Sequence, residues 1–548
     1  MHCERKHSVF ASVSVNRANA RTSRKPKVFE MHCERKRSVF ASVSVNRANA
    51  HTSRKPRVFE MHCVFVKRVS DLGVTEMKRV LFVTSEAVPF IKTGGLADVA
   101  GSLPKYFSKN EYEVSVMLPK YMCIREDMRK KMHHILHFYV DLGWRKQYVG
   151  ILEAKEDGIQ YYFIDNEYYF NRDGLYGFYD DGERFVFFSS AVLEMLRVID
   201  FKPDVINAHD WQTALIPVYY QIFYKYQQGY DCIKTVFTIH NIQYQGQYGT
   251  EVLTELMGIP MYHSGLLEFD GKINLMKGAI ETADKITTVS PSYAWEILDP
   301  WYSHGLDRIL VTKQYKLCGI LNGIDTDYYN PESDLSIPQN YSVNDLSGKH
   351  RCKKDLLSLT GLNDDDSPLV GIVTRLVSHK GIDLIKYVME EIVSIGFEFV
   401  ILGSGEKIYE DFFNEMSYRY PQRVSVNLGF NHTLSKQIYA GSDMFLMPSQ
   451  SEPCGLAQMI AMRYGTIPIV RETGGLRDSI NDNGGINGNG FTFKTYNAQD
   501  MLNSLKRAKD TYNDKDEWNA LIRRVMNCNF SWNNSAKLYI KLYEELCR

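Results

Sequence analysis

The sequence has no paired cysteines. Its ten cysteines are scattered over 548 residues, and none belongs to a CxxC motif or to the regular spacing of a disulfide framework. Disulfide scaffolds and structural zinc sites both need such spacing, so the pattern argues against either one. We therefore expect a reducing, cytoplasmic environment and no bound metal.

Long apolar runs and a net charge are also missing. No apolar stretch approaches the roughly 20 residues that a membrane-spanning helix needs. The 65 lysines and arginines balance 65 aspartates and glutamates, which gives no reason to expect nucleic acid or an acidic membrane surface as a partner. The composition predicts a soluble protein that acts on a small or neutral molecule.

The first 76 residues differ from the rest in charge and pattern. They carry 16 lysines and arginines against 6 aspartates and glutamates, and a 30-residue unit that begins MHCERK is repeated directly. Each copy has too little apolar sequence to close a core, so disorder is one interpretation. The Arg- and Ser-rich composition also suits a transit peptide, which would imply a plastid location. A third interpretation is that the native enzyme begins near Met77.

From Met77 onward, short β-branched runs alternate with longer helical patterns, as is typical of parallel α/β folds. Six predicted strands extend from RVLFVTS to KITTVS, and six more extend from PLVGIVTR to GFTFK. We predict two Rossmann-like, doubly wound domains over residues 77–321 and 368–530. A segment rich in Asn, Asp, Pro and Ser, residues 322–367, would connect them, and residues 531–548 would form a final helix.

Ligands of such sheets bind beyond the carboxyl ends of the strands. In KTGGLADV, after the first predicted strand, Lys92 precedes Gly94 and Gly95 and then a helix. Two glycines allow positive φ and a close approach of backbone to ligand, and the amino end of the helix suits a phosphate. A tight strand-to-helix turn with a solvated lysine explains the same residues.

A second loop, in VTRLVSHKGIDLI, places Arg375 and Lys380 near the start of a helix. A planar guanidinium and a compact ammonium together suit a diphosphate, unless both are ordinary surface cations. Glu452 precedes the helical run GLAQMIAMRYG, where it could accept hydrogen bonds from sugar hydroxyls or simply complement the helix dipole. The later TGGLRDSI, from Thr473, repeats the Gly-Gly-Leu pattern.

Histidines follow two further strands of the first domain. His209 and Asp210 lie in NAHDW, and His240 lies in TIHNIQYQG. No GxSxG elbow accompanies them, which argues against a hydrolytic triad, and a third metal ligand at suitable spacing is lacking. A single histidine at a strand end also suits a turn cap.

Taken in order, KTGGLADVAGSLPK, HDWQTALIP, HNIQYQG, LNGID, RLVSHKGIDL, SEPCGLAQMIAMRYGTIPIV and TGGLRDSI resemble the bacterial glycogen synthases and plant starch synthases. The resemblance covers essentially everything from Met77 to the end. It implies two Rossmann-like domains that face each other across a cleft. It also implies transfer of glucose from ADP-glucose to the 4-hydroxyl at the non-reducing end of an α-1,4-glucan, with retention and without a cofactor.

The resemblance also assigns roles to individual residues. The catalytic set that it implies is His240, Asp210, Arg375, Lys380 and Glu452. The implied substrate contacts are Lys92, Gly94, Gly95, Asp98, Asn241, Phe430, Cys454, Gly455, Thr473, Gly474 and Gly475. Phe430 matches a position where an aromatic ring stacks on adenine.

Other transferases of this architecture carry a second glutamate eight positions after the first, where this chain has Ile460. Its absence argues for the glucan synthases and against sucrose- or trehalose-type transferases. No covalent nucleophile is evident, so we expect a front-face displacement in which cations stabilise the leaving ADP. Two rivals remain, a glucan phosphorylase with pyridoxal phosphate and a catalytically silent glucan-binding protein.

Overall fold

The computed structural model describes residues 77–199, 201–485 and 487–548. The predictions for residues 1–76, namely disorder, a transit peptide or a native start near Met77, therefore lie outside the described residues. Within the described ranges, no helix combines the length and the apolar character that crossing a membrane requires.

The first domain is built on a nine-stranded sheet with the order β12-β11-β7-β6-β1-β2-β5-β4-β3. Its strands are β1 (Lys78–Val83), β2 (Tyr112–Pro119), β3 (His133–Leu142), β4 (Arg145–Glu156), β5 (Ile159–Asp165), β6 (Val205–His209), β7 (Lys234–Ile239), β11 (Lys285–Thr288) and β12 (Leu317–Gly319). All pairings from β12 to β5 are parallel. A small antiparallel sheet, β8 (Gln247–Tyr248), β9 (Glu268–Phe269) and β10 (Lys272–Asn274), lies apart from it.

The antiparallel hairpin β3–β4 extends one edge of the first sheet, and the sequence analysis did not predict it. Its two-residue turn begins at Gly143, whose φ is +58°, a conformation that favours glycine in tight hairpins. The outer strand β3 is largely exposed, so it lacks the buried β-branched run by which the other strands are identified.

The second domain is built on a six-stranded parallel sheet with the order β15-β14-β13-β16-β17-β18. Its strands are β13 (Leu369–Val373), β14 (Glu398–Gly403), β15 (Val424–Leu428), β16 (Met444–Met447), β17 (Ile467–Arg471) and β18 (Phe491–Phe493). Every residue of β14 is buried, as expected for a parallel strand covered on both faces. The predicted fold class, two doubly wound α/β domains, is confirmed.

Helices cover both sheets. In the first domain they are α1 (Gly95–Ser102), α2 (Glu126–Arg129), α3 (Glu167–Phe170), α4 (Asp181–Val198), α5 (Leu215–Tyr219), α6 (Val252–Glu255), α7 (Ser264–Leu267), α8 (Leu275–Thr282), α9 (Pro291–Glu296) and α10 (Asp307–Lys313). The remainder are α11 (Ser347–Thr360), α12 (Ile382–Ser394), α13 (Lys407–Arg419), α14 (His432–Gly441), α15 (Ala457–Arg463), α16 (Gly474–Ser479), α17 (Ala498–Asn513), α18 (Lys515–Met526) and α19 (Trp532–Leu546).

Two helices connect the domains differently from what a simple tandem arrangement suggests. The segment after the first domain contains α11, which packs on α14 of the second domain; its Lys349 donates to three carbonyls there. The final helix α19 returns to the first domain, where the Tyr543 hydroxyl accepts a hydrogen bond from Asn207 at 2.9 Å.

In each sheet the chain adds strands first on one side of the starting strand and later on the other, which creates one topological switch point. In the first sheet this point lies between β1 and β6, and in the second it lies between β13 and β16. The loops after these four strands contain Lys92, Asp210, Arg375 with Lys380, and Glu452. Crevices at such switch points are where open α/β sheets bind ligands, so the fold itself selects these loops.

Candidate active site

The loop between β1 and α1 contains Lys92. Its ammonium forms an ion pair with Asp98 on α1, with 2.7 Å between nitrogen and oxygen. Burial raises the pKa of Asp98, and the charge of Lys92 opposes that shift. The structure thus brings two predicted site residues into direct contact.

The two glycines of this loop lack the positive φ that the sequence analysis expects. Gly94 is extended, with φ −152°, and Gly95 begins α1. That expectation is wrong because the chain enters the helix directly from an extended residue and needs no left-handed turn. Gly95 faces the second domain, where a Cβ added to it would lie 3.7 Å from Leu456, an ordinary contact distance.

Glu86, which is not among the predicted site residues, holds this loop through hydrogen bonds to Thr93. Its Oε2 accepts hydrogen bonds from the Thr93 amide at 2.5 Å and from the Thr93 hydroxyl at 2.7 Å. The side chain is buried, and burial raises its pKa. The available signal was a glutamate directly after a buried strand, a position where a charged residue needs a partner.

Asp210 links the ends of the neighbouring strands β6 and β7. One of its carboxylate oxygens accepts from the backbone amides of His240 at 2.7 Å and Asn241 at 3.3 Å. Its backbone has φ +56°, an uncommon conformation for a residue other than glycine. Burial raises the pKa of Asp210 to about 7, although the two amides oppose the shift. Three predicted residues therefore form one cluster.

His209 lies beneath His240. Its Nδ1 is 2.9 Å from Nε2 of His240, and its ring stacks on Phe82 with 5.3 Å between centroids. Burial lowers the pKa of both imidazoles, and that of His240 falls to about 3. Both rings are therefore neutral near pH 7.

In the second domain, Lys380 and Glu452 form a pair. Lys380 ends a short 3₁₀ helix between β13 and α12, and Glu452 follows β16. Their charged groups are 2.6 Å apart, and the Ser449 hydroxyl donates to the same glutamate oxygen at 3.0 Å. Both side chains are mostly buried, which strengthens their electrostatic attraction relative to a surface pair.

Arg375 occupies the same loop as Lys380. Its side chain is exposed, and it has no hydrogen bond or ion pair to any described residue. Burial lowers the pKa of the neighbouring His379 imidazole, and the positive charges of Lys380 and Arg375 lower it further. Because Lys380 is paired with Glu452, Arg375 provides the unpaired positive charge of this loop.

The loop of Glu452 is held by the second Gly-Gly pair. Gly474 has φ +44°, and a Cβ there would lie 2.1 Å from the Glu452 carbonyl oxygen. The Gly475 amide donates to that carbonyl at 3.1 Å. Cys454 is buried, which raises the pKa of its thiol to about 12 and leaves it uncharged, and Gly455 has φ +71°. These residues shape the loop through their backbones.

Glu296, from α9 of the first domain, was also missed. Its Oε1 accepts from the Thr473 hydroxyl at 3.0 Å and from the Gly474 amide at 2.8 Å. Thr473 and Gly474 were predicted to contact substrate, and in this structure those polar groups pair with the glutamate. Nothing in the local sequence of Glu296 indicates this contact, because its partners lie far along the chain.

The carboxyl ends of the two sheets face each other. The hydroxyl of Ser290, which follows β11, donates to the carbonyl of Pro453 at 2.7 Å. Ser292 donates to Asp478 through both its amide and its hydroxyl. These bonds connect the Glu452 loop and α16 to the first domain, and Leu456 lies near Gly95 after β1, so loops from both switch points border a common cleft.

Phe430 lies at the edge of the second domain, after β15, and 84% of its surface is exposed. Its ring is 6.5 Å from that of His432, whose Nε2 is 2.8 Å from the Tyr328 hydroxyl. Lys92 and Asp98 of the first domain act electrostatically on His432. An exposed ring near these groups is free to stack on a planar ligand.

Two family models match the chain. The model described as the starch synthase catalytic domain matches residues 79–312, and the model described as glycosyl transferases group 1 matches residues 360–524. Both switch-point loops of each domain fall within these matches.

Known proteins resemble the chain over most of its length. It is 50% identical over 473 residues to a glycogen synthase of Anoxybacillus flavithermus, and the aligned region covers 85% of this chain and 98% of that protein. It is 49% identical over 475 residues to a glycogen synthase of Clostridium botulinum, with 85% and 99% covered. Among solved structures, it is similar to the catalytic domain of starch synthase IV from Arabidopsis thaliana bound to ADP and acarbose, with a TM-score of 0.80, 35% identity, and 86% and 100% of the two chains covered.

Proposed function

This chain belongs to the glycogen and starch synthase family of glycosyltransferases, and on that premise we propose that its donor is ADP-glucose. The enzyme takes part in glycogen synthesis, with a nucleotide-sugar donor and a glucan acceptor. In the proposed reaction, glucose passes to the 4-hydroxyl at the non-reducing end of an α-1,4-glucan with retention at the anomeric carbon. The roles of individual residues below are part of the same proposal.

The observation that carries the proposal is the cationic loop of Arg375 and Lys380 opposite the loop of Lys92. Negative charge builds on the diphosphate as the bond to glucose breaks. Arg375, exposed and without a partner among the described residues, offers a planar fork to phosphate oxygens. Lys380 is held in place by Glu452, so its charge is positioned before the donor binds.

Glu452 has a second role in this proposal. Lys380 and Ser449 both contact its Oε2. The other oxygen, Oε1, has no hydrogen bond to a described residue, so it is available to accept from glucose hydroxyls. The neighbouring amides of Cys454 and Gly455 would contact the same sugar, and Gly475 would support the loop from behind. The thiol of Cys454 takes no part, because it stays protonated.

On the first domain, Lys92 would exchange its partner. It pairs with Asp98 in this structure, and a diphosphate that enters between the domains would compete for the same ammonium. The amino end of α1, at Gly95, faces the same entrance and favours an anion. Gly94 has no Cβ, so a ligand could approach the backbone closely at this point.

His240, Asp210 and Asn241 would act on the sugar rather than on the phosphates. The neutral His240, with a pKa of about 3, is a hydrogen-bond partner and not a general acid. Asp210 holds the backbone of His240 and Asn241 through two amides. With no covalent nucleophile assigned, a leaving phosphate oxygen would take the proton of the acceptor hydroxyl on the same face as departure.

Two further features support the adenine nucleotide. The exposed ring of Phe430 suits stacking on a base, and the similar plant structure was described with ADP.

A cytoplasmic location for the enzyme also stays a proposal, which fractionation of the source cells would test.

A donor comparison tests the proposal directly. Purified enzyme with an α-1,4-glucan primer is given ADP-glucose or UDP-glucose at equal concentration, and nucleoside diphosphate release and chain extension are both measured. We expect a clearly higher kcat/KM with ADP-glucose and one diphosphate released per glucose added. A preference for UDP-glucose would refute the donor assignment while leaving the family membership intact.

A further inference from the structure

His209 and His240 meet at the switch point of the first sheet. Nδ1 of His209 is 2.9 Å from Nε2 of His240, a normal hydrogen-bond distance for two ring nitrogens. The His209 side chain is completely buried, and its ring stacks on Phe82. We propose that His209 is a positioning residue that holds His240 in the tautomer with its proton on Nδ1.

The direction of this hydrogen bond follows from the other nitrogen of His209. Nε2 of His209 is buried and has no hydrogen-bond partner among the described residues. If His240 donated the bond, neutral His209 would carry its own proton on Nε2, as a buried N–H without an acceptor. Buried N–H groups without an acceptor are rarer in folded proteins than acceptors without a full set of donors. His209 therefore donates from Nδ1, and its unpaired Nε2 is a lone pair.

The tautomer of His240 is then determined. Its Nε2 accepts from His209, so the single proton of the neutral ring is on Nδ1. The side chain is partly exposed, and Nδ1 has no hydrogen bond to a described residue. His240 thus presents an N–H donor to the cleft. A donor suits a sugar hydroxyl or ring oxygen, and this interpretation of the donor rests on the proposed function.

Separate contacts also hold the two residues in place. His209 is held by its stack on Phe82, and its carbonyl accepts from the Thr213 hydroxyl at 2.8 Å. The backbone of His240 is held by Asp210. The pair therefore connects a strand end to the imidazole of His240.

The test uses nitrogen-15 NMR of the full-length enzyme labelled at histidine, with His240 assigned by its loss in His240→Gln. Protonated and unprotonated ring nitrogens have well-separated shifts. We expect wild-type His240 to show a protonated Nδ1 and an unprotonated Nε2. A protonated Nε2 in the wild-type spectrum would overturn the proposal without any variant of His209.

Two variants then separate positioning from packing. His209→Phe keeps a ring against Phe82 but cannot donate, so we expect mixed His240 tautomers and a kcat about 10-fold lower. His209→Asn places an amide N–H near the former Nδ1, and it should restore the tautomer and most of kcat. If His209→Phe lowers kcat while His240 keeps its proton on Nδ1, or mixes the tautomers without changing kcat, the positioning role is wrong. The NMR result does not depend on donor identity, so its failure is distinguishable from failure of the proposed function.

Discussion

The buried ion pair of Lys380 and Glu452 is the most informative single-residue target. Lys380 Nζ is 2.6 Å from Glu452 Oε2, and both side chains are mostly buried. Removal of the lysine therefore leaves a buried carboxylate without its cation. Hydrogen bonds to charged groups contribute roughly 1.5–3 kcal/mol. At 1.4 kcal/mol per factor of ten, Lys380→Ala should lower kcat by about 10- to 150-fold, measured as ADP release.

Lys386 offers a matched control for this substitution. It lies on α12, close to Lys380 in sequence, and it is exposed, with its ammonium 5.5 Å from the centre of the Phe412 ring. Lys386→Ala should leave kcat unchanged. Equal losses in the two variants would mean that the loop contributes only general positive charge.

The raised pKa of Asp210 predicts how the free energy of unfolding depends on pH. Its pKa is about 7 in the fold, raised by burial from an ordinary value of 3.8. Between these values the folded carboxyl is neutral and the unfolded one is ionised, so unfolding releases a proton. The free energy of unfolding should therefore fall as pH rises from about 4 to 7, by at most about 1.4 kcal/mol per pH unit from this group.

Asp210→Asn should remove that contribution. Its carbonyl oxygen can still accept from the amides of His240 and Asn241, so the local geometry is retained. Denaturation at several pH values would measure the difference in unfolding free energy between variant and wild type. The stability of the variant relative to wild type should increase from pH 4 to pH 7. Parallel curves would show that Asp210 is ionised throughout.

Residues differ in how visible they are in the sequence. The sequence shows that Lys92, Arg375, Lys380 and Glu452 lie in loops that follow strand patterns, so their placement beyond strand ends was predictable. Glu296 was not, because a glutamate on a helix surface is the default interpretation unless its partner is known. That partner, Thr473, is 177 positions away and is brought near by domain packing.

At the scale of elements, the turn into α16 makes the sharpest prediction. Gly474 has φ +44°, and an added Cβ would lie 2.1 Å from the backbone of Glu452. Gly474→Ala should cost at least about 1 kcal/mol of stability from backbone strain alone, and it should also lower kcat by displacing the Glu452 loop. Thermal unfolding and ADP release would measure the two effects.

Gly265 is the control for this substitution. It lies in α7 with no atom within 4 Å of an added Cβ, and its φ is not positive. Gly265→Ala should leave stability and activity nearly unchanged, because alanine favours helix more than glycine does. A comparable loss at both positions would argue against a specific role for the turn.

The glycine pairs also show the limit of motif reasoning about elements. Both TGG sequences lie at the start of a helix, yet Gly94 is extended and precedes α1, whereas Gly474 has positive φ and is the first residue of α16. The two tripeptides have the same sequence, so the difference in backbone conformation arises from their structural environments. Gly474 must turn over the Glu452 backbone, whereas Gly94 continues an extended approach to α1.

At the scale of the whole molecule, residues 1–76 lie outside both family matches, the first of which begins at residue 79. Every residue assigned here to the site lies after them. Deletion of residues 1–76 should therefore leave kcat and both KM values unchanged in the donor assay. A loss of activity would show that the duplicated segment contributes to the working enzyme.

The opposite end of the chain should behave differently. Trp532, Tyr539 and Tyr543 of α19 are buried, and Tyr543 accepts from Asn207 inside the first domain. A variant that ends at Ser531 lacks these side chains, so it exposes the apolar surface that they cover and leaves the Asn207 amide unpaired. It should unfold at a lower temperature than wild type, even though the second sheet is intact.

The resemblance of the ordered motifs predicted the family, which the comparisons confirm together with glycosyltransferase activity. Strand pattern predicted the two α/β domains and the polar loops at the ends of their strands. These features follow from local periodicity and from the rule that parallel strands end at one edge. Which residues pair could not be predicted, as the contacts of Glu86 with Thr93, His209 with His240 and Glu296 with Thr473 show. Such pairs depend on distances set by sheet order and domain packing, and these arise only when the chain folds.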